Sequence, residues 1–428
     1  MNIPKPMLEP RLQARYQKLV HEHLHTSEGP AAGSRALPGV HESFASTQAA
    51  WRFYQNADVT LPALMAPLHA QACHEVPVQC RRYGLVLPDW SELNYGQHSS
   101  KTDRRPVSKD LGYELAAALL ISDQTGQPIA PVSLSLRAAD GWHTSGPQQV
   151  AATLAPLALT TLTIHELRQR NRGLPLVHII DRGGDSLLPY RQWQAAGELF
   201  LVRANDAPRV VWQEQTQALQ QVAAQVPLLS AQAVEVAAKV CGQLFVGATQ
   251  VVLARPALPR TKTGKRRWIK GLPLSLRLLV CQLRLPDETL VAQGYWLSNV
   301  PCTVTAHELA QWYDWRWRME SYFKLLKSHG FQVEAWQQES AEKIAQRLLI
   351  AAMACLLVWQ RQRAQDPETV ALRDLLIRLS GRQGRRAQAT APALLSGLWV
   401  FLAAIELLEH YDLNDLKFMA RLAVPGYA

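Results

Sequence analysis

At Tyr83 the hydrophobic pattern of the chain changes from a helical period to short apolar runs, and that change excludes an all-helical fold. The segments YGLVLPD, LGYELAAALLIS and PIAPVSLSLRAA follow one another, separated by turn signals such as SDQTGQP, and they read as adjacent strands. Ahead of them, residues 8–25 have helical character and residues 27–39 form a Gly/Ser/Pro-rich link. Residues 47–55 (TQAAWRFYQ) form a second helix, with Ala50, Phe53 and Tyr54 on one side and Arg52 on the other. A helix is expected over residues 157–172, then the buried strand PLVHIIDRGGD running into a polar loop, then the strand LFLVRAN. Residues 206–299 read as a largely β segment. After Pro301 the pattern turns helical, over 305–328, 341–365 and a C-terminal set.

The chain has 428 residues, more than one ordinary core accommodates, and 48% are hydrophobic, which rules out a disordered chain. Lys and Arg number 45 against 35 Asp and Glu, a net charge of +10 that favours an anionic partner, nucleic acid ahead of membrane. Between Arg255 and Arg277 lie eight basic residues and no acid, including Lys262, Lys265, Arg266 and Arg267. That loop or hairpin suits phosphate contact; a solvated loop is the alternative. The apolar runs at 348–359 and 394–408 fall short of the roughly 18–20 residues of a membrane span. The N-terminus has no signal-peptide core, and six cysteines without CxxC spacing read as reduced, cytosolic and mostly buried.

The richest segment is QWYDWRWRMESYFKLLKSHG. On one continuous helix, Tyr313, Arg316, Glu320, Lys324 and Lys327 would share a face, aligning an acid with a tyrosine and three cations. Glu320 would hold a metal while the basic residues hold phosphates on the neighbouring turns. Two further acids follow apolar runs: Asp89 in GLVLPDWSELNY and Asp181 in LVHIIDRGGD. Singly, an Asp after a strand is more often a cap or turn residue. Together with Glu320, in this order, they form a carboxylate trio of the kind that holds two divalent ions.

The spacing Tyr-x2-Arg-x3-Glu-x6-Lys is the YREK signature, and the chain resembles the DDE transposases of the insertion-sequence-four family, to which the Tn-five transposase belongs. Asp89 stands in D-x-[ST]-x-L-x-Y, Asp181 in Asp-Arg-x-x-Asp, and TQAAxRF and YWLSNVP also match, so the resemblance runs from about residue 40 to residue 330. Two positions depart from the pattern: Trp90 stands where the family usually has Thr, and Gly183 replaces a common Glu, while Asp185 is kept.

The resemblance implies an α/β, RNase-H-like catalytic core in two parts, 71–205 and 301–365, interrupted by the β-rich insertion 206–300. It implies a helical DNA-binding module over 1–70, using Gln48 and Arg52, and a helical region over 366–428. Asp89, Asp181 and Glu320 would hold two Mg²⁺ (or Mn²⁺) ions; Tyr313, Arg316, Lys324 and Lys327 would clamp DNA phosphates. Arg203 would lie near flanking DNA, and Trp296, with Tyr295 second, would receive a base pulled from the stack; a surface Arg and a packed strand Trp are the alternatives. The implied partners are double-stranded transposon ends and target DNA, the implied state a homodimer in the DNA complex, and the implied location the bacterial cytoplasm at the nucleoid. Residues 394–408 offer a dimer surface or, equally, a buried core helix. A regulator that binds the repeats without cutting, and a structure-specific nuclease, are the rival readings. His21, Glu22 and His25 satisfy H-E-x-x-H but have no third ligand, and Cys73, His74 and Cys80 lack a completing pair, so neither reads as a metal site.

Overall fold

The structure is a computed structural model that describes residues 3–25, 40–147, 150–170, 173–206, 208–237, 240–257, 268–328, 330–381 and 389–423. The expected link at 27–39 and the basic residues Lys262, Lys265, Arg266 and Arg267 lie outside them.

Three helices come first: α1 (Pro10–His25), α2 (Val40–Gln55) and α3 (Leu61–Gln79). The α2 face is as the pattern predicts, with Ala50, Phe53 and Tyr54 buried and Arg52 exposed. Helix α3 begins at the Thr60 cap and runs through residue 70, so the expected module boundary falls inside a helix. Then follow β1 (Gly84–Asn94), β2 (Arg105–Pro106), β3 (Leu111–Ser122), β4 (Pro128–Arg137), β5 (Trp142–Thr144), α4 (Pro156–Arg170) and β6 (Leu176–Ile180). A 3₁₀ turn (Arg182–Gly184), α5 (Leu187–Ala195) and β7 (Leu199–Arg203) come next. Between β7 and the helical C-terminal part lie β8 (Arg209–Trp212), β9 (Gln215–Ala218), α6 (Leu219–Ala223), β10 (Leu229–Ala237), β11 (Val240–Leu253), β12 (Leu274–Arg284) and β13 (Leu290–Ser298). The helices that follow are α7 (Ala306–Asp314), α8 (Trp317–Leu326), α9 (Ala341–Arg363), α10 (Pro367–Leu379), α11 (Ala391–His410) and α12 (Leu413–Ala423).

One mixed sheet takes the strands in the order β5-β4-β3-β1-β6-β7-β13-β12-β11-β8-β9. Strands β4, β3 and β1 pair antiparallel, β6 and β7 continue parallel to β1, and β13 returns antiparallel to β7. The parallel steps need crossovers, which the β5–α4 segment and α5 supply. Strand β1 outruns β6: pairing with β6 covers only Gly84–Val86, so the later half of β1 lies beyond the end of its parallel neighbour. The main core joins α1–α3, β1, β3, β4 and α9, and α9 is buried on nearly every side, as a helix apolar all round must be. A second core, with Tyr190, Trp193 and Phe200, packs α5 and α6 against β7 and the β11–β13 strands.

Two helical expectations need correction. Residues 305–328 are not one helix: α7 ends at Asp314 and α8 begins at Trp317. The joint tightens into i→i+3 bonds, from Arg316 N to Tyr313 O (3.0 Å), Arg318 N to Trp315 O and Met319 N to Arg316 O (2.9 Å each). Its cause is remote in sequence. Trp315 packs on Gly126, which has φ +63° in the β3–β4 turn, and a Cβ there would stand 2.4 Å from the indole. The second correction concerns α11. The apolar run is part of a 20-residue helix that is long and apolar enough to cross a membrane by length and composition, with 22% of its most apolar window buried. Its first half packs through Leu394, Leu395 and Gly397; Val400, Ile405, Leu407 and Leu408 are exposed.

Candidate active site

Asp89 sits within β1, not after it, where the strand has run past β6. Asp181 follows β6 directly and caps the 3₁₀ turn, its Oδ1 accepting from Gly183 N at 2.8 Å. Glu320 lies one turn into α8. The three carboxylates converge closely enough for Asp181 and Glu320 to act electrostatically on Asp89.

Arg316 organises them. Its Nη1 donates to Asp89 Oδ2 at 2.7 Å, and its Nη2 lies 4.0 Å from Glu320 Oε1. The other Asp89 oxygen accepts from Trp90 N at 2.9 Å. Burial pushes the Asp89 carboxyl up to about 6; the Trp90 bond and Arg316 pull it down, and Asp181 and Glu320 push it up. Burial would lower the Arg316 guanidinium, but Asp89, Tyr313, Asp181 and Glu320 together raise it above its ordinary value. A buried acid with a raised pKa and a specific charge partner is a mark of functional sites.

The other expected residues divide into groups. Lys327 does not share a helical face with Glu320: it caps α8 and turns onto β1, donating to Ser91 Oγ at 2.9 Å and to the Glu92 carbonyl. Burial lowers its pKa, against the pull of Glu334, Glu92 and Glu320. Lys324 is exposed on α8. Tyr313 packs on Trp296 with ring centres 5.0 Å apart, and Trp296 stands opposite Arg203 in the β7–β13 register. Trp296 Nε1 and Arg203 Nε are both buried with no hydrogen-bond partner among the described residues. Tyr295 is buried in the second core. Gln48 and Arg52 are exposed on α2.

Two contributors were not anticipated. Asp185 pins the turn after Asp181 to the end of β7, its Oδ2 accepting from Asn205 N and Nδ2 at 2.7 Å each and its Oδ1 from Tyr190 OH at 2.9 Å. Its retention in Asp-Arg-x-x-Asp was the available signal. Trp317, 61% exposed, lies three and seven residues before Glu320 and Lys324, on their helix face; the expected single helix hid it among buried tryptophans.

Oxygen-only donors suit a hard divalent ion, whose charge would favour the ionised form that burial, with a smaller push from Asp181 and Glu320, disfavours in Asp89. The trio is held open by Arg316. Among the described residues, a tighter group is Asp103, Asp140 and His143, with ligand atoms within 4.8 Å of one another. Asp103 is committed elsewhere, however: it accepts from Tyr113 OH and, at 2.7 Å, from the N-terminal amide of α9 at Ala341.

Residues 157–357 match the family model described as Transposase DDE domain. No curated protein matches the chain. Among solved structures, it is similar to a chain of a cryo-EM structure of the piggyBac transposase synaptic complex with hairpin DNA, at 9% identity and a TM-score of 0.39, covering 97% of this chain and 75% of that one. The stretch that positions Asp181, Arg316 and Glu320 therefore matches a transposase DDE domain, and Asp89 reaches the same site from the strand ahead of it.

Proposed function

We infer that the protein is a DDE transposase of the insertion-sequence-four kind, which cuts the terminal inverted repeats of its element and joins the 3′-OH ends to target DNA. The observation that carries this is the meeting of Asp89, Asp181 and Glu320 around Arg316. The RNase-H-like reading rests on the antiparallel β4-β3-β1 set continued by parallel β6 and β7, with one acid on the first strand and one past a later strand. Strands β8–β12 then form the insertion and β13 the return to β7.

Asp89, Asp181 and Glu320 would hold two Mg²⁺ or Mn²⁺ ions, which supply activation of the attacking oxygen and stabilisation of the leaving one. Arg316 balances the acids from within and presents its guanidinium where a phosphate must approach. Lys324 lies open to solvent for the DNA backbone, and Lys327 holds the Asp89 strand against α8. The orphan donors of Trp296 and Arg203 call for an acceptor, and a phosphate oxygen or an extruded base offers one. Cleavage through a hairpin is what the resemblance to the insertion-sequence-four family implies. Gln48 and Arg52 on α2 would contact the ends, and the exposed apolar sides of α11 and α12 would pair with a second copy in the DNA complex. The enzyme would act at the bacterial nucleoid.

Strand transfer tests the reading against a nuclease. Pre-cut element ends carrying a 3′-OH, supplied with Mg²⁺ and a target plasmid, should become covalently joined to the plasmid. Cutting without joining would leave a structure-specific nuclease.

A further inference from the structure

A cavity of about 220 Å³ opens between α2 and the chain leading into α9, lined by Trp51, Tyr54 and Gln55 on one side and Gln337, Gln338 and Lys343 on the other. We propose that this cavity receives a single unpaired nucleobase of the DNA that the protein binds. The proposal rests on the DNA-binding reading above and adds to it a site for one base.

Size, chemistry and position each point to that ligand. The volume lies below the roughly 300–1,000 Å³ of pockets for drug-sized ligands, which suits one planar ring system. Trp51 is 57% exposed at the cavity, although the other aromatic residues of the same half of the helix, Phe53 and Tyr54, are buried. An exposed indole on a cavity wall is a stacking platform that tolerates any base. Gln338 is committed through its Oε1 to Arg347 Nη1 (3.0 Å) and Gln337 Nε2 donates to the Ala335 carbonyl (3.1 Å), which leaves the Gln55 amide and the Gln337 Oε1 to meet a base edge. The charged lining is one lysine and one glutamate, Glu339, and Lys343 is already 3.8 Å from Glu342, so the wall is close to neutral. A phosphate would ask for a surplus of cations; a base does not.

Gln48, Trp51 and Gln55 recur at spacings of three and four, on one face of α2. Gln48 and Arg52 are exposed on the same helix within one turn of Trp51. A base inside a duplex shows only its edges, so filling a concave site beside an indole needs a base out of the stack. The segment leading into the opposite wall, 333–336, is bonded to the end of β1 and to the loop that follows it. Asn94 N donates to Glu334 Oε1 at 2.8 Å, Tyr95 OH to the Val333 carbonyl, and Lys101 Nζ to the Trp336 carbonyl at 2.9 Å. The chain entering the cavity wall is thus tied to the last residue of β1.

The test compares two fluorescein-labelled probes by anisotropy with the full chain at fixed salt: a fully paired duplex, and the same duplex with one unpaired base. The unpaired base should tighten binding about tenfold, within the range of one base–aromatic stack. Trp51→Ala and Gln337→Ala should abolish that preference while changing affinity for the paired duplex less than about twofold, and Trp51→Phe should keep part of it. Equal binding of both probes by the wild type, or a preference that survives Trp51→Ala, overturns the base site and leaves DNA binding standing. Failure to bind either probe overturns the DNA-binding reading itself, and the base site with it.

Discussion

Trp90 lies against Gly183: a Cβ added to Gly183 would stand 2.8 Å from Trp90 Cζ2 and 3.0 Å from Asp181 Oδ1. The two positions that depart from the pattern of the family the chain resembles are therefore one contact. The indole occupies room beside the Asp181 turn that a side chain at 183 would need, so the glycine makes the space that Trp90 fills. Gly183→Glu alone should lower stability by about 1–3 kcal/mol through overpacking. Trp90→Thr alone should cost ~1–2 kcal/mol, less than a full core deletion because Trp90 is half-exposed. The double variant should lose less than the sum, with a coupling of about 1–2 kcal/mol by urea unfolding. Strict additivity would show that the two residues do not share space.

Asp89 sets a pH dependence of stability. Its folded pKa, about 6, lies above the ordinary 3.8, so the folded state favours the protonated form. Stability from this group is greatest below pH 4 and falls as pH rises through 4 to 6, then levels off. In EDTA, Asp89→Asn should therefore be about 1–3 kcal/mol more stable than wild type at pH 7, and the gap should close by pH 4. A gap independent of pH would contradict the raised carboxyl. Added Mg²⁺ should narrow the gap at pH 7 by stabilising wild type alone.

Lys324 and Lys327 are equal in the sequence pattern and unequal in the structure. Lys327→Met removes two bonds to β1 and should cost ~1–3 kcal/mol in unfolding free energy. Lys324→Ala, on an exposed side chain, should leave stability unchanged and weaken DNA binding, with a shallower salt dependence by about one charge. Matching effects from both variants would restore the picture of one cationic face.

Much of this site was legible because its parts are local. Asp89 and Asp181 each follow an apolar run that must be a strand, and Glu320 sits in a segment of helical period, so the residue types and order point to the trio without long-range knowledge. The break between α7 and α8 was not legible, because its cause, Trp315 docking on Gly126, spans distant parts of the chain. Arg316, at that break, bonds Asp89, and Lys327 leaves the face because α8 ends at Leu326. Helix α3 was hidden by Pro67 and Pro77 within it, and α11 appeared too short because Pro392 at its start and Glu409 and His410 at its end lie outside the apolar run.

Helices α11 and α12 leave Leu408, Leu413, Phe418 and Leu422 exposed, and α12 has no buried residue. An open apolar surface of this kind marks an interface. Bound to its terminal repeats, the wild type should show the mass of two chains by light scattering, and Leu408→Asp with Phe418→Asp should show one. Retention of the two-chain mass by that variant would place the dimer contact elsewhere.

The most direct test of the central claim is Mg²⁺-dependent cleavage of DNA carrying the element's own terminal inverted repeats, with Asp181→Ala beside the wild type. The account predicts cuts at the repeat boundary, yielding a hairpin or a free 3′-OH, and no product from the variant although it still binds the repeats. Tight binding without cutting in either Mg²⁺ or Mn²⁺ would contradict the enzyme and leave a repeat-binding regulator.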